Sequence, residues 1–204
     1  MNDPTSFPAD ASGDNPARDV RLMVRVKAGD MDAFRDLVEA HQGRVVGTIA
    51  RMLGDPIEAE DLAQQVFLRI WKSAARWEPR AKFTTWLYTI LRNLVFNESC
   101  RRGRHLTHSL DAAAEDGDRT HQFADARVKA PDTAMLDTEM QDAIERAIHE
   151  LPEAQRIAVI MRRYQDVSYE EIAAVLDVTV PAVKSLLFRA RTELKEKLRG
   201  YLDA

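Results

Sequence analysis

The chain of 204 residues holds one cysteine, eight glycines and eight prolines, and only 7% of it is aromatic. Cys100 alone can close neither an internal disulfide nor a thiolate zinc cluster, which suits a reducing compartment. So few glycines and prolines exclude a loop-rich or fibrous chain. The longest charge-free stretch, residues 83–91, falls far short of the ~20 residues of a membrane-spanning helix, so no membrane insertion is expected. Residues 1–20 lack a basic start followed by an apolar run, and no secretory signal is expected. His41, His105, His108, His121 and His149 are scattered, with no HExxH, Gly-rich phosphate loop or nucleophile motif around them. The expectation is a cytoplasmic globular protein with no metal, no cofactor and no enzymatic activity.

What the chain does hold is charge, 30% of its residues, with a net value of −4. The total conceals an uneven distribution. Residues 21–103 carry fourteen Lys and Arg against ten Asp and Glu, whereas residues 132–204 carry ten against fourteen. Within the second block, residues 184–199 gather six basic groups against Glu193 and Glu196. Local charge, not the total, steers a protein toward phosphate.

Hydrophobic spacing makes the chain all-α: two small helical domains joined by a flexible linker. Residues 1–20, rich in Asp, Pro, Ser and Gly, read as a disordered tail. Over 21–104 apolar residues recur at steps of three and four. The sets are Ala33, Phe34, Leu37, Val38; then Val45, Val46, Ile49, Met52, Leu53; then Leu62, Val66, Phe67, Ile70, Trp71; then Trp86, Leu87, Ile90, Leu91, Leu94, Val95. Gly54-Asp55-Pro56 separates the second set from the third. Periodicity lapses over 105–131, a linker closed by Pro131, and returns over 132–204 with Met135, Met140, Ile144, Ile148 and Leu151.

The second domain spells a helix-turn-helix. Ser168-Tyr169-Glu170-Glu171 predicts a capping box opening a short helix over 169–176. Asp177-Val178-Thr179 is the turn, and Pro181 suits the start of a second helix packed through Val183, Leu186, Leu187 and Ala190. The Ala173/Ala174 pair would let the two helices cross closely. A recognition helix that begins with small and hydroxyl residues and ends basic can read a major groove. The alternative is a helical hairpin with a solvated basic face.

In the first domain, Asp61, Gln64, Gln65 and Leu68 fall at helical steps and make a mixed stripe, either solvated or docking a partner helix. Residues 83–93 interleave aromatics with threonines between Arg76, Arg80 and Lys82 on one side and Arg101, Arg102 and Arg104 on the other. Such a segment can stack bases and neutralise phosphates of a single strand. Trp86 is equally readable as a core residue.

These stretches together resemble the extracytoplasmic-function sigma factors, the small two-domain branch of the bacterial sigma-70 family. The resemblance rests on residues 60–71, 83–93, Leu151-Pro152, 168–173 and 183–191. It implies a transcription initiation factor that binds core RNA polymerase. Asp61, Gln64, Gln65 and Leu68 would dock on the clamp helices of the β′ subunit, with further contacts to the β subunit. Arg76, Arg80, Lys82, Phe83, Trp86, Asn93 and Asn97 would read and melt the single-stranded −10 element, one base flipping into a pocket beside the 77–83 loop. Ser168, Tyr169, Lys184, Ser185, Phe188, Arg189 and Arg191 would read the duplex −35 element. An anti-sigma factor is the implied regulatory partner. Lys184 stands where the family often has Arg, Leu186 where many members carry another Arg, Gln65 where Glu is common, Asn97 where Asp is frequent and Cys100 where a basic residue is common. These differences bear on the promoter sequence and not on the family. A dimeric duplex-DNA regulator working without polymerase is the rival reading, and it has no use for the Asp61 stripe.

Overall fold

In the computed structural model of the protein, residues 15–109 and 131–202 are described, with side chains over 15–102 and 139–201. Among the described residues all regular structure is helical. The first half comprises α1 (Pro16–Lys27), α2 (Met31–Leu53), α3 (Pro56–Ser73) and α4 (Phe83–Ser109), with a 3₁₀ turn, Ala74–Arg76, after α3. The second comprises α5 (Pro131–His149), α6 (Glu153–Tyr164), α7 (Tyr169–Leu176), α8 (Val180–Lys197) and a last turn, α9 (Arg199–Leu202).

The helix starts follow from local chemistry. Asn15, Asp30 and Asp55 each accept hydrogen bonds from the free N–H groups of the first turn of α1, α2 and α3. Pro16 and Pro56 occupy positions where their missing N–H costs nothing. The Asp30 carboxyl is held below its usual range by the Ala33 N–H and by Arg25. The predicted capping box is present: Ser168 Oγ accepts from Glu171 N at 3.2 Å while Glu171 Oε2 accepts from Ser168 N at 3.1 Å. Thr179, the last residue of the predicted turn, caps α8 through a bond from Ala182 N.

Several expectations are revised. Helix α1 starts at Pro16, inside the segment read as a tail, because its Asp19 is buried against His41 with the ring Nε2 3.1 Å from Oδ1. Residues 1–14 of that segment lie outside the described residues. The two apolar sets over 33–53 belong to one 23-residue helix, α2. Gly43 and Gly47 sit within it in ordinary helical conformation, so neither breaks it. Helix α4 continues past Arg104 to Ser109, and residues 110–130 of the expected linker lie outside the described residues. In the helix-turn-helix Ala173 is buried but Ala174 faces solvent, so only one of the pair lies in the packed side of α7.

Most of the buried apolar side chains form one contiguous cluster running from Leu22 in α1 to Val183 in α8. The two halves therefore pack on one another, α4 against α7 and α2 against α5 and α6. At the end of α2, Gly54 takes the left-handed conformation (φ 72°) that closes the helix. His149 Nε2 donates to the Leu53 carbonyl there at 3.1 Å. A Cβ on Gly54 would stand 2.8 Å from that nitrogen, so the position requires glycine both for its φ and for its neighbour. Alongside, the Arg51 guanidinium lies over the Tyr164 ring, 4.4 Å from its centroid.

Candidate nucleic-acid interface

Helix α3 divides into faces. Leu62, Val66, Phe67 and Ile70 enter the core. Asp61, Gln64, Gln65 and Leu68 are all exposed on the opposite side, with Leu68 54% exposed. Ile57, one turn before Asp61, is 79% exposed and extends the stripe with a second apolar residue. The stripe thus carries an exposed apolar side chain at each end, Ile57 and Leu68, with polar side chains between them.

A third face of α3 carries Arg69 and Lys72. They combine with Ser73, Arg76, Ile90 and Asn93 to line a pocket of about 320 Å³ where the end of α3 and the 3₁₀ turn meet the middle of α4. Three cations and an amide converge on this concavity with no carboxylate in its lining. Arg69 and Lys72 escaped the sequence reading, which placed the cations of this region only in the loop and at its flanks. Their signal was the spacing Arg69, Lys72, Arg76, steps of three and four on one face.

Trp86, Ile90, Asn93 and Asn97 recur along α4 at steps of four, three and four. They form a strip continuous with the pocket, Trp86 and Ile90 half-buried, Asn93 and Asn97 exposed. Phe83 departs from expectation. It is 1% exposed, packed against His41 (centroids 5.2 Å apart) and edge-on to Trp86 (6.1 Å). An aromatic at the first position of α4 is pulled into the core by the helices it must join, so Phe83 offers no face to a nucleic acid and instead sets where Trp86 stands. Of the loop before α4, Trp77 is buried and its carbonyl accepts from Lys27 Nζ at 3.1 Å, while Arg80 is exposed and pairs with Glu78 at 2.6 Å. Lys82 reaches across to α7 and pairs with Glu171 Oε1 at 3.1 Å. Burial pushes the Glu171 carboxyl up, but the Ser168 N–H and Lys82 outweigh it and hold the group below its usual range.

Arg101 and Arg102, further along α4, are engaged elsewhere. Arg101 and Arg102 pair with Glu58 and Glu98, and Arg102 also approaches Asp55, locking α4 to the start of α3. The Arg101 guanidinium is held protonated more firmly than usual by its hydrogen bond and charge pairing to Glu98.

On α8, Lys184, Ser185, Phe188, Arg189 and Arg191 are all exposed, as expected of a reading helix. Lys184, Phe188 and Arg191 lie on one face at steps of four and three, and Phe188 is 72% exposed at its centre. Ser168 is engaged in its cap, and Tyr169 is half-buried beneath the Arg162 guanidinium, 5.6 Å from the ring centroid. Both flank α8 instead of projecting with its exposed face.

Comparison with known proteins identifies the family. The sigma-70 region 2 profile matches residues 37–105 and the sigma-70 region 4 profile matches residues 141–194. The chain is 35% identical over 188 residues to the RNA polymerase sigma-H factor of Pseudomonas aeruginosa, covering 91% of this chain and 96% of that one. It belongs to the sigma-70 family, in the extracytoplasmic-function branch. Other members include SigW of Bacillus subtilis, 30% identical over 86% of this chain and 94% of SigW. The sigma-E factor of Escherichia coli K12 is 32% identical over 87% of this chain and 93% of its own length. Among solved structures, the sigma factor RpoE of Bartonella quintana in complex with the anti-sigma factor NepR matches 81% of this chain and 96% of its own. That match has a TM-score of 0.66 and 25% identity. Sigma factors are transcription regulators, and the family binds RNA polymerase and promoter DNA. Among the described residues no three His, Cys, Asp or Glu groups stand close enough to hold a metal ion. No described helix is long and apolar enough to cross a membrane.

Proposed function

We propose that this sigma factor docks on the clamp helices of the polymerase β′ subunit through Asp61, Gln64, Gln65 and Leu68, with Ile57 extending the contact. Helix α8 reads the −35 duplex with Lys184, Ser185, Phe188, Arg189 and Arg191. The α4 strip, with the pocket of Arg69, Lys72, Arg76 and Asn93, receives the non-template strand of the −10 element as it separates. The supporting observation is the carboxylate-free cationic pocket joined to a strip of Trp86, Ile90, Asn93 and Asn97. Cations neutralise phosphates while an indole and amides face bases, the division of labour that single-strand recognition requires. Base edges are not free in a duplex, so capture of unstacked bases on this strip is what would favour melting. Lys184 offers a guanine or a phosphate a point charge, not a guanidinium fork, and Phe188 can meet a thymine methyl. An anti-sigma factor is the regulatory partner in this reading, since the similar RpoE of Bartonella quintana is found in complex with one, NepR.

The experiment is co-purification with core RNA polymerase. Substituting Asp61→Ala together with Gln64→Ala should abolish recovery of the complex and leave the helical circular dichroism unchanged, both sites being exposed. Recovery at the wild-type level would remove the stripe from the polymerase contact and favour a regulator that binds DNA unaided.

A further inference from the structure

Helix α1 carries none of the residues assigned to polymerase or to DNA, yet it holds the strand-reading part of the molecule at two points. The first is buried. Asp19 of α1 and His41 of α2 are 3% and 2% exposed, with the ring Nε2 3.1 Å from the carboxylate Oδ1. The His41 ring lies against Phe83 at an interplanar angle of 56°, and Phe83 stands at 61° to Trp86. A line of contacts therefore runs from a carboxylate in α1 to the indole at the head of the strip on α4. The second point is at the other end of the helix. Lys27 Nζ donates to the Trp77 carbonyl at 3.1 Å, and the Trp77 side chain is itself buried. The loop before α4 is thus held by its main chain and by its ring together, and α1 also packs against the 3₁₀ turn that carries Arg76.

A buried carboxylate carries a desolvation cost that an apolar side chain in its place would avoid. What it adds is direction. A hydrogen bond fixes the rotation of an imidazole, and edge-on aromatic contacts pass an orientation from ring to ring. A side chain that meets a base is only as precise as the residues that lock it in place. We infer that Asp19 and Lys27 are positioning residues of the −10 reader: Asp19 acts through His41 and Phe83 on Trp86, and Lys27 acts through the Trp77 carbonyl on the loop that leads into α4. The Lys27 ammonium is engaged by a carbonyl, so it fixes backbone and neutralises no phosphate.

This inference rests on the strand-reading role of α4, and its test separates the two. Holoenzyme assembled at saturating polymerase is titrated against a fluorescein-labelled single-stranded oligonucleotide of about 16 mixed-sequence nucleotides, at a temperature where circular dichroism shows each variant folded. D19A removes the acceptor, D19N keeps an oxygen for the His41 ring, and K27M keeps the length of the side chain without its donor. D19A and K27M should each weaken strand binding about fivefold, the effect of one hydrogen bond, while polymerase recovery stays at the wild-type level. D19N should return to within about twofold of wild type. Two readouts exclude a merely structural effect. In a W86A background D19A should change nothing further, since the residue it acts through is gone. In K27M the slope of log affinity against log salt should match the wild type, whereas a lost phosphate contact would lower it by about 0.7. Wild-type affinity in K27M or in folded D19A would overturn the inference. So would no recovery in D19N, an undiminished D19A effect in the W86A background, or a reduced slope in K27M. Wild-type affinity in W86A itself would instead overturn the strand-reading role of α4, and the positioning with it.

Discussion

Arg69, Lys72 and Arg76 line one pocket with no carboxylate, so replacing all three by Gln should change how strongly strand binding depends on salt. Each phosphate neutralised on a single strand contributes about 0.7 to the slope of log affinity against log salt, and three contribute about 2. Raising KCl from about 50 to about 200 mM, a fourfold change, should therefore weaken the wild-type holoenzyme about 20-fold more than the variant. Arg76 and the two α3 cations are exposed, so folding stability should move by no more than about 0.5 kcal/mol. The assay is fluorescence anisotropy of a −10 non-template oligonucleotide on holoenzyme assembled at saturating polymerase, repeated across the salt range. Asn93→Ala is the internal comparison. It removes an uncharged contact and should lower affinity by roughly fivefold with the slope unchanged. A triple variant with the wild-type slope would refute the phosphate assignment, whatever happened to affinity at a single salt concentration.

Gly54→Ala forces an alanine into φ 72° and against His149, and should cost about 2–3 kcal/mol in urea unfolding. In an H149A background the collision is gone, and the same substitution should cost only about 1–2 kcal/mol. Asp19→Ala leaves the buried His41 ring without its partner beneath Phe83, and should lower stability by about 1–3 kcal/mol in the same measurement. Phe188→Ala removes an exposed side chain, so thermal stability should hold while −35 duplex affinity, read by anisotropy, falls by about 1 kcal/mol or more at thymine-containing positions.

The parts of the fold legible in the sequence are those decided within a few residues. Ser168 and Glu171 announce their own capping box, Asp177-Val178-Thr179 its turn, and the steps from Leu62 to Ile70 the buried side of α3. The Asp61 stripe could be seen as a stripe, but only the family resemblance gave it a partner. What escaped is decided at a distance. Nothing local shows that Phe83 will be drawn onto His41, or that Arg69 and Lys72 will share a pocket with Asn93 from another helix. The continuity of α2 through Gly43 and Gly47 did not show in the apolar spacing, which lapses between Val38 and Val45, although packing on either side carries the helix through. Asp19 looked like one more acidic residue of a polar tail because its partner lies 22 positions away. The pairing of Lys82 with Glu171 joins residues of two separate domains, each with an adequate local role of its own.

The function proposed for this chain is to confer promoter specificity on RNA polymerase. Run-off transcription from a genomic promoter library, using core polymerase with and without the protein, tests it most directly. Discrete transcripts should arise only when the protein is present and share paired upstream elements at −35 and −10, and they should disappear with the Asp61→Ala, Gln64→Ala variant. A transcript pattern indifferent to the protein for every promoter in the library would contradict the account.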